Sequence, residues 1–184
     1  MRVLELEGVS ALASLLIDVD LLGDKAVQFG SPDMLILNSG GPVSELAKNS
    51  ILSGPCNTRV IIRQPNSFKN SHANNALEGK ITLNPDNSPI TAEIEEWKHG
   101  CWYHSDIISA NDLGDLLNRL QQLTPDINFQ INHRELPNGP FWAGAISYDM
   151  VQWTQPISLQ HIPHENEVLT VLWLVENFVV HAKE

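Results

Sequence analysis

Basic residues are scarce in this chain of 184 residues: 11 Lys and Arg stand against 22 Asp and Glu, a formal net charge of −11 at neutral pH. Neutralising a run of phosphates takes clustered cations, and here the cations are scattered singly, so no nucleic-acid partner is expected. Cysteine is scarcer still. Cys56 and Cys101 form no CxxC spacing, which argues against a disulfide framework and against a zinc ribbon. No apolar run approaches the ~18 residues that mark a membrane span, so no membrane partner is expected either. The opening stretch MRVLELEGVSALASLLIDVD is interrupted by Glu5 and Glu7 and lacks a basic n-region, unlike a secretory signal; a cytoplasmic location is expected. The fingerprints GxxxxGK[ST], GxGxxG and GxSxG are missing as well, which removes the common phosphate-cradling loops and the nucleophile elbow.

What is present supports a real core. Hydrophobic residues make up 42% of the chain, and a single domain of this size buries about 70% of the surface its unfolded form exposes. The segment RVLELEG alternates like a short strand, and SALASLLIDVDLL sets Leu12, Leu15, Leu16 and Val19 on one helical face. VQFGSPDMLILNSGG suggests two strands broken at Gly30-Ser31-Pro32. TRVIIRQ (58–64) is β-branched and strand-like. PNSFKNSHANNALEGK (65–80) is polar and Asn-rich, hence a loop, and ITLNPDNSPITAEIEEW predicts two strands around an NPDNSP turn.

Leu113, Leu116, Leu117, Leu120 and Leu123 recur at the helical period, with Ser109 or Asn111 as candidate caps and Pro125 just past the end. WAGAISYDMVQW alternates small and large residues and predicts a strand. EVLTVLWLVENFVVHAKE carries two apolar runs pivoting near Glu176-Asn177, which predicts a hairpin. Strands outnumber helices without a βαβ rhythm. The expected class is α+β, a mostly antiparallel sheet with flanking helices in one domain spanning 1–184.

The strongest candidate for chemistry is WKHGCWYHSD (97–106), where His99, Cys101 and His104 could ligate a metal or pair as thiol and base. Structural zinc wants four ligands in recognisable pairs, and no second pair exists. The favoured reading is a half-buried strand whose Trp97, Trp102 and Tyr103 fill core or interface space. Glu93, Glu95 and Glu96 look like a solvated strand edge. Neither a catalytic residue nor a metal site emerges from the residues themselves.

The segment PFWAGAISYDMVQWTQPI (140–157) resembles the end of the N-terminal domain of anthranilate synthase component I and aminodeoxychorismate (para-aminobenzoate) synthase component I, where the pattern runs Gly-x-x-Gly-Tyr-Leu-Ser-Tyr-Asp-Leu-Val-Arg-Tyr-x-Glu-Pro. Gly144, Ile146, Ser147, Tyr148, Asp149, Met150, Val151 and Pro156 match or substitute conservatively. EVLTVLWLVENFVVHAKE resembles the strand-turn-strand that closes that domain, and SLLIDVDLLGDKAVQFGSPDMLIL its effector-binding region. Ala145, Gln152 and Gln155 depart from the pattern, and Ile17-Asp18 stands where the family has Glu-Ser.

The resemblance implies half of an orthogonally packed two-sheet synthase fold. It implies a noncatalytic scaffold and regulatory domain, with magnesium and catalysis on chorismate belonging to a separate C-terminal domain absent from this sequence. The implied partners are that chorismate-binding domain or subunit and a glutamine amidotransferase subunit, with self-association through an exposed sheet face. Gly144, Tyr148 and Asp149 are then structural: the tyrosine packs between sheets and the aspartate accepts hydrogen bonds at the strand's turn. The alternative is a free-standing module binding an aromatic amino acid near Asp18, Lys25 and Tyr148.

Overall fold

The computed structural model describes residues 32–37, 49–65, 89–125, 139–154 and 163–182. The opening strand and helix, the polar loop after Pro65 and the first strand of the NPDNSP pair fall outside these residues. Eight strands are described: β1 (Ile36–Leu37), β2 (Asn49–Ser53), β3 (Thr58–Arg63), β4 (Ile90–Lys98), β5 (Cys101–Ala110), β6 (Phe141–Ile146), β7 (Val168–Val175) and β8 (Phe178–Ala182). One α-helix, α1 (Leu113–Leu123), and one 3-10 helix (Tyr148–Trp153) join them. All pairings are antiparallel, in a three-stranded sheet ordered β1-β2-β8 and a five-stranded sheet ordered β5-β4-β3-β7-β6. The α+β, sheet-dominated class expected from the sequence is what the chain adopts.

The two sheets grow from one ribbon. β2 and β8 pair from Asn49↔Ala182 to Ser53↔Phe178, and β3 and β7 take up the pairing at Arg59↔Trp173. Ser53 to Arg59 spans six residue steps where Trp173 to Phe178 spans five, so residues 54–58 carry one extra residue. Such an insertion bends and twists a strand pair, and strands that switch sheets do so at corners of this kind. The Gly54 N–H donates to Asn177 O at 2.7 Å, keeping the ribbon bonded through the bend. The apolar runs around Glu176-Asn177 are therefore not the hairpin expected from the sequence. β7 and β8 lie end to end in different sheets, each paired with a strand more than a hundred residues earlier.

β3 is the centre of the larger sheet, and its Val60, Ile61 and Ile62 are all buried. That explains its unbroken apolar run. In β4 the burial alternates: Ile90, Ala92 and Ile94 point to the core at the strand period. They meet Val60, Ile62, Ile108, Ala110 and Leu172 in one layer, closed by Leu116 and Leu120 of α1 and by Met150 and Trp153 of the 3-10 helix.

The cap of α1 is Asp112 rather than Ser109 or Asn111. Its carboxylate accepts from Asp115 N at 2.8 Å, and the Asp115 carboxylate accepts from Asn111 N at 3.1 Å. Together they satisfy donors that a helix start leaves free. At the other end, Trp142 Nε1 donates to Leu120 O at 3.0 Å and Thr124 Oγ1 at 2.9 Å, fastening the helix to β6.

Candidate functional site

WKHGCWYHSD is a hairpin, not a single strand. His99 and Gly100 take positive φ of 51° and 84°, the conformation of a two-residue type I′ turn, and Lys98 faces Cys101 across it. Cross-strand partners share a face, so Cys101 and Tyr103 lie with Lys98 and Glu96, while Trp102 and His104 lie with Trp97 and Glu95 on the other side. His104 therefore cannot serve Cys101 as base. The Cys101 thiol instead reaches Tyr103 Oη at 3.4 Å, a hydrogen bond that raises the tyrosine's pKa. Among the described residues no group of three or more His, Cys, Asp or Glu is placed to hold a metal ion.

The second cysteine differs in being buried. Cys56 sits in the ribbon's corner, 2% exposed. Burial raises its thiol pKa, with the Ser53 hydroxyl opposing and the Asp33 and Glu176 carboxylates reinforcing the rise. A thiol held in the neutral form is a poor nucleophile.

Within residues 140–157 the strand ends sooner than its alternation predicts. β6 stops at Ile146, and residues 148–153 coil into the 3-10 helix. Ser147 causes the break: its hydroxyl accepts from Asp149 N at 3.2 Å and donates to Asp149 Oδ2 at 2.8 Å. Asp149 thus accepts a hydrogen bond at the end of the strand. Tyr148 does not pack between sheets; the residue is 77% exposed at the first position of the 3-10 helix, because the turn directs Met150 and Trp153 inward instead. A Cβ on Gly144 would collide with the Val171 carbonyl oxygen. Only glycine lets β6 lie against β7 at that point. Of the three proposed effector contacts, Asp18 and Lys25 lie outside the described residues.

Two features of the larger sheet were not anticipated. The first is a polar and aromatic row on the face away from α1. Arg59 is in register with Glu95 on one side and Trp173 on the other. Its Nε donates to Glu95 Oε2 at 2.7 Å and its Nη1 to Asp33 Oδ2 at 3.2 Å. Trp173 Nε1 donates to the same Asp33 oxygen at 2.9 Å. The guanidinium carbon lies 4.2 Å from the centroid of Trp102, which meets Trp97 edge-on at 5.3 Å. Glu95 is therefore held by Arg59 within the sheet and is no solvated edge residue.

The second is an open cleft of about 230 Å³ where β3 and β4 reach the 3-10 helix. Ile62, Ile90 and Trp153 form apolar wall, Gln64 and Asn166 add polar groups, and the Arg63–Glu93 ion pair at 3.7 Å adds both charges. Gln64 is 2% exposed, and neither its amide oxygen nor its amide nitrogen finds a hydrogen-bond partner among the described residues. Gln64 closes a strand-like run in the sequence, where a polar residue looks like a surface residue; only its place one step beyond buried β3 hints otherwise.

Among the described residues no helix is long and apolar enough to cross a membrane. The chain matches no family model, no curated protein and no solved structure.

Proposed function

We propose that the chain is a noncatalytic scaffold and regulatory domain of a chorismate-utilising synthase, of the kind that yields anthranilate or aminodeoxychorismate, acting in the cytoplasm. One observation carries the reading: five residues of the segment that resembles those synthases, Gly144, Ser147, Asp149, Met150 and Trp153, do architectural work. Gly144 admits close strand approach, Ser147 and Asp149 end the strand, and Met150 and Trp153 close the core. None of these groups is left over for turnover. In this reading, magnesium and the chemistry on chorismate belong to a separate partner, with ammonia supplied by an amidotransferase subunit.

The test is reconstitution. Mixed with an isolated chorismate-binding domain of either synthase, the chain should co-elute with it and raise its output of anthranilate or aminodeoxychorismate. Alone it should consume no chorismate. Turnover by the chain alone, or failure to associate with both domains, overturns the proposal. Ile146 and Val168 are 48% and 42% exposed, so some self-association of the free chain is expected in sedimentation.

The exposure of Tyr148 favours a second reading, a module that binds an aromatic amino acid near Tyr148, Asp18 and Lys25. Calorimetry with tryptophan should then show heat that Asp18→Ala removes. No heat from the unaltered chain dismisses it.

A further inference from the structure

We propose that the chain dimerises through the free edge of β6, two copies joining their five-stranded sheets antiparallel about a twofold axis at Gly144. This dimer narrows the self-association expected above to one strand edge, and it stands whether or not the synthase reading does. β5 and β6 are the two edges of the larger sheet. A strand edge carries unpaired backbone groups that recruit another strand unless bulges, charges or proline blunt it. β5 is blunted. Its ladder with β4 slips between Ile94↔Asp106 and Glu95↔His104, leaving Ser105 as a bulge between two ionisable residues. β6 is not: FWAGAI has no charged residue and no proline, and its ladder with β7 is regular. Gly144, Ala145 and Ile146 are exposed, and the exposed surface of a glycine is all backbone. In the smaller sheet, β1 is two residues long and β8 is half-buried over Phe178, Val179 and Val180.

The ladder also says which groups face outward. Ser147 N–H donates to Leu169 O at 2.7 Å, in step with the β6–β7 register. Hydrogen-bonded and non-hydrogen-bonded pairs alternate along an antiparallel ladder. Phe141, Ala143 and Ala145 therefore turn their backbone groups to β7, while Trp142, Gly144 and Ile146 turn theirs away. Among the described residues no strand takes up those outward groups. A second copy takes up all of them. Centred on Gly144, the register sets Trp142 against the partner's Ile146, Gly144 against the partner's Gly144 and Ile146 against the partner's Trp142. Each pair exchanges both backbone hydrogen bonds. Ile146 is 48% exposed and Trp142 half-buried on the same face, so each covers the other twice across the axis. Charge selects the place as well. A chain of net charge −11 repels its copy, and β6 is an edge where no like charges meet. One strand pair is a small interface, so a concentration-dependent equilibrium is expected and not a permanent dimer.

Sedimentation equilibrium on the full chain should show monomer and dimer, with the dimer favoured as salt screens the acidic repulsion. Ile146→Lys charges the edge at an exposed position and acts twice across the axis. It should weaken the dimer about tenfold or more while the dilute chain melts as before. Ile107→Lys, at a 54% exposed position on β5, should leave the dimer intact. Hydrogen exchange reads the edge directly in the unaltered chain: the amides of Trp142, Gly144 and Ile146 should gain protection with concentration, and those of Ala143 and Ala145 should be protected throughout. In a mixture of labelled and unlabelled chains, a contact between the Hα of Ala143 and that of the partner's Ala145 should report the register. Three results overturn the proposal: a monomer at every concentration up to ~1 mM, which leaves the edge to a strand of another protein; a dimer broken by Ile107→Lys and not by Ile146→Lys; or a dimer in which the three outward amides gain no protection.

Discussion

The two faces of the five-stranded sheet are built on opposite principles. On one, Val60, Ile62, Ala92, Ile94 and Leu172 meet α1 and the 3-10 helix with side chains that have volume and no direction. On the other, Arg59, Glu95, Asp33, Trp102 and Trp173 meet through hydrogen bonds and ring contacts whose geometry is specific. The apolar face supplies stability, since burial is favourable whatever the orientation. The polar face fixes register and the corner. Asp33 ties the segment before β1 to β3 and β7 at once, and β3 and β7 leave the corner together.

The largest effect should come from the apolar face. Leu120 is 1% exposed, and Leu120→Ala removes a buried side chain and leaves a cavity, at a cost of about 2–5 kcal/mol. Urea unfolding measures it. A loss under about 1 kcal/mol would mean that α1 is not the lid of this core.

Gly144→Ala should come next, because the added methyl meets backbone rather than a movable side chain. Overpacking typically costs about 1–3 kcal/mol. Here it should be accompanied by faster amide exchange at β6–β7 pairs flanking Gly144↔Leu172. Slow exchange retained at those pairs would show that the strands do not approach so closely.

Arg59→Ala tests the polar face. The side chains of Arg59 and Glu95 are 20% and 17% exposed and that of Asp33 is 42% exposed, so screening by solvent discounts the pairs and a loss of about 1–2 kcal/mol is expected. The two faces should also part in their response to salt. The Arg59→Ala penalty should shrink at high ionic strength, where surface charges are screened within a few ångströms, while that of Leu120→Ala should not. Equal salt responses would break the contrast.

How much of this was legible depended on whether a residue's partner was near it in sequence. β3, β4 and α1 show in their own periodicity, because each needs only the direction of the core. The corner does not show, because the strands that pair with β7 and β8 across it, β3 and β2, lie more than a hundred residues back and an apolar run does not say which sheet it will join. The place of Glu95 was missed for the same reason: Arg59, which holds it, is 36 residues away. At His99-Gly100 the glycine was the only turn signal, and histidine is an uncommon residue at positive φ. The break after Ile146 was legible in principle, since Ser147 with Asp149 two residues on is a local side-chain cap, but the small-large alternation of WAGAIS concealed it. Gln64 could not have been read at all. An unsatisfied amide exists only once the fold has closed around it.

The smallest effect belongs to Asp115, which lies outside both faces and so measures what the surface adds to them. Its carboxylate receives Arg119 Nε at 3.0 Å and the Asn111 N–H at 3.1 Å. The Arg119 hydrogen bond is the largest of the influences that hold its pKa below the ordinary aspartate value, ahead of the Asn111 N–H and the attraction of the Arg119 charge. A depressed folded-state pKa means the ionised form is favoured in the folded chain. The contribution is therefore complete above the unfolded carboxyl's pKa, near pH 4, and is lost as pH falls through the lower, folded value. Asp115→Asn should flatten the acid limb of the stability profile and leave the shape above about pH 5 unchanged. Arg119→Ala should flatten it only in part, because the Asn111 N–H remains. A change in the alkaline limb, or an acid limb identical to that of the unaltered chain, would place the helix cap's charge elsewhere than on Asp115.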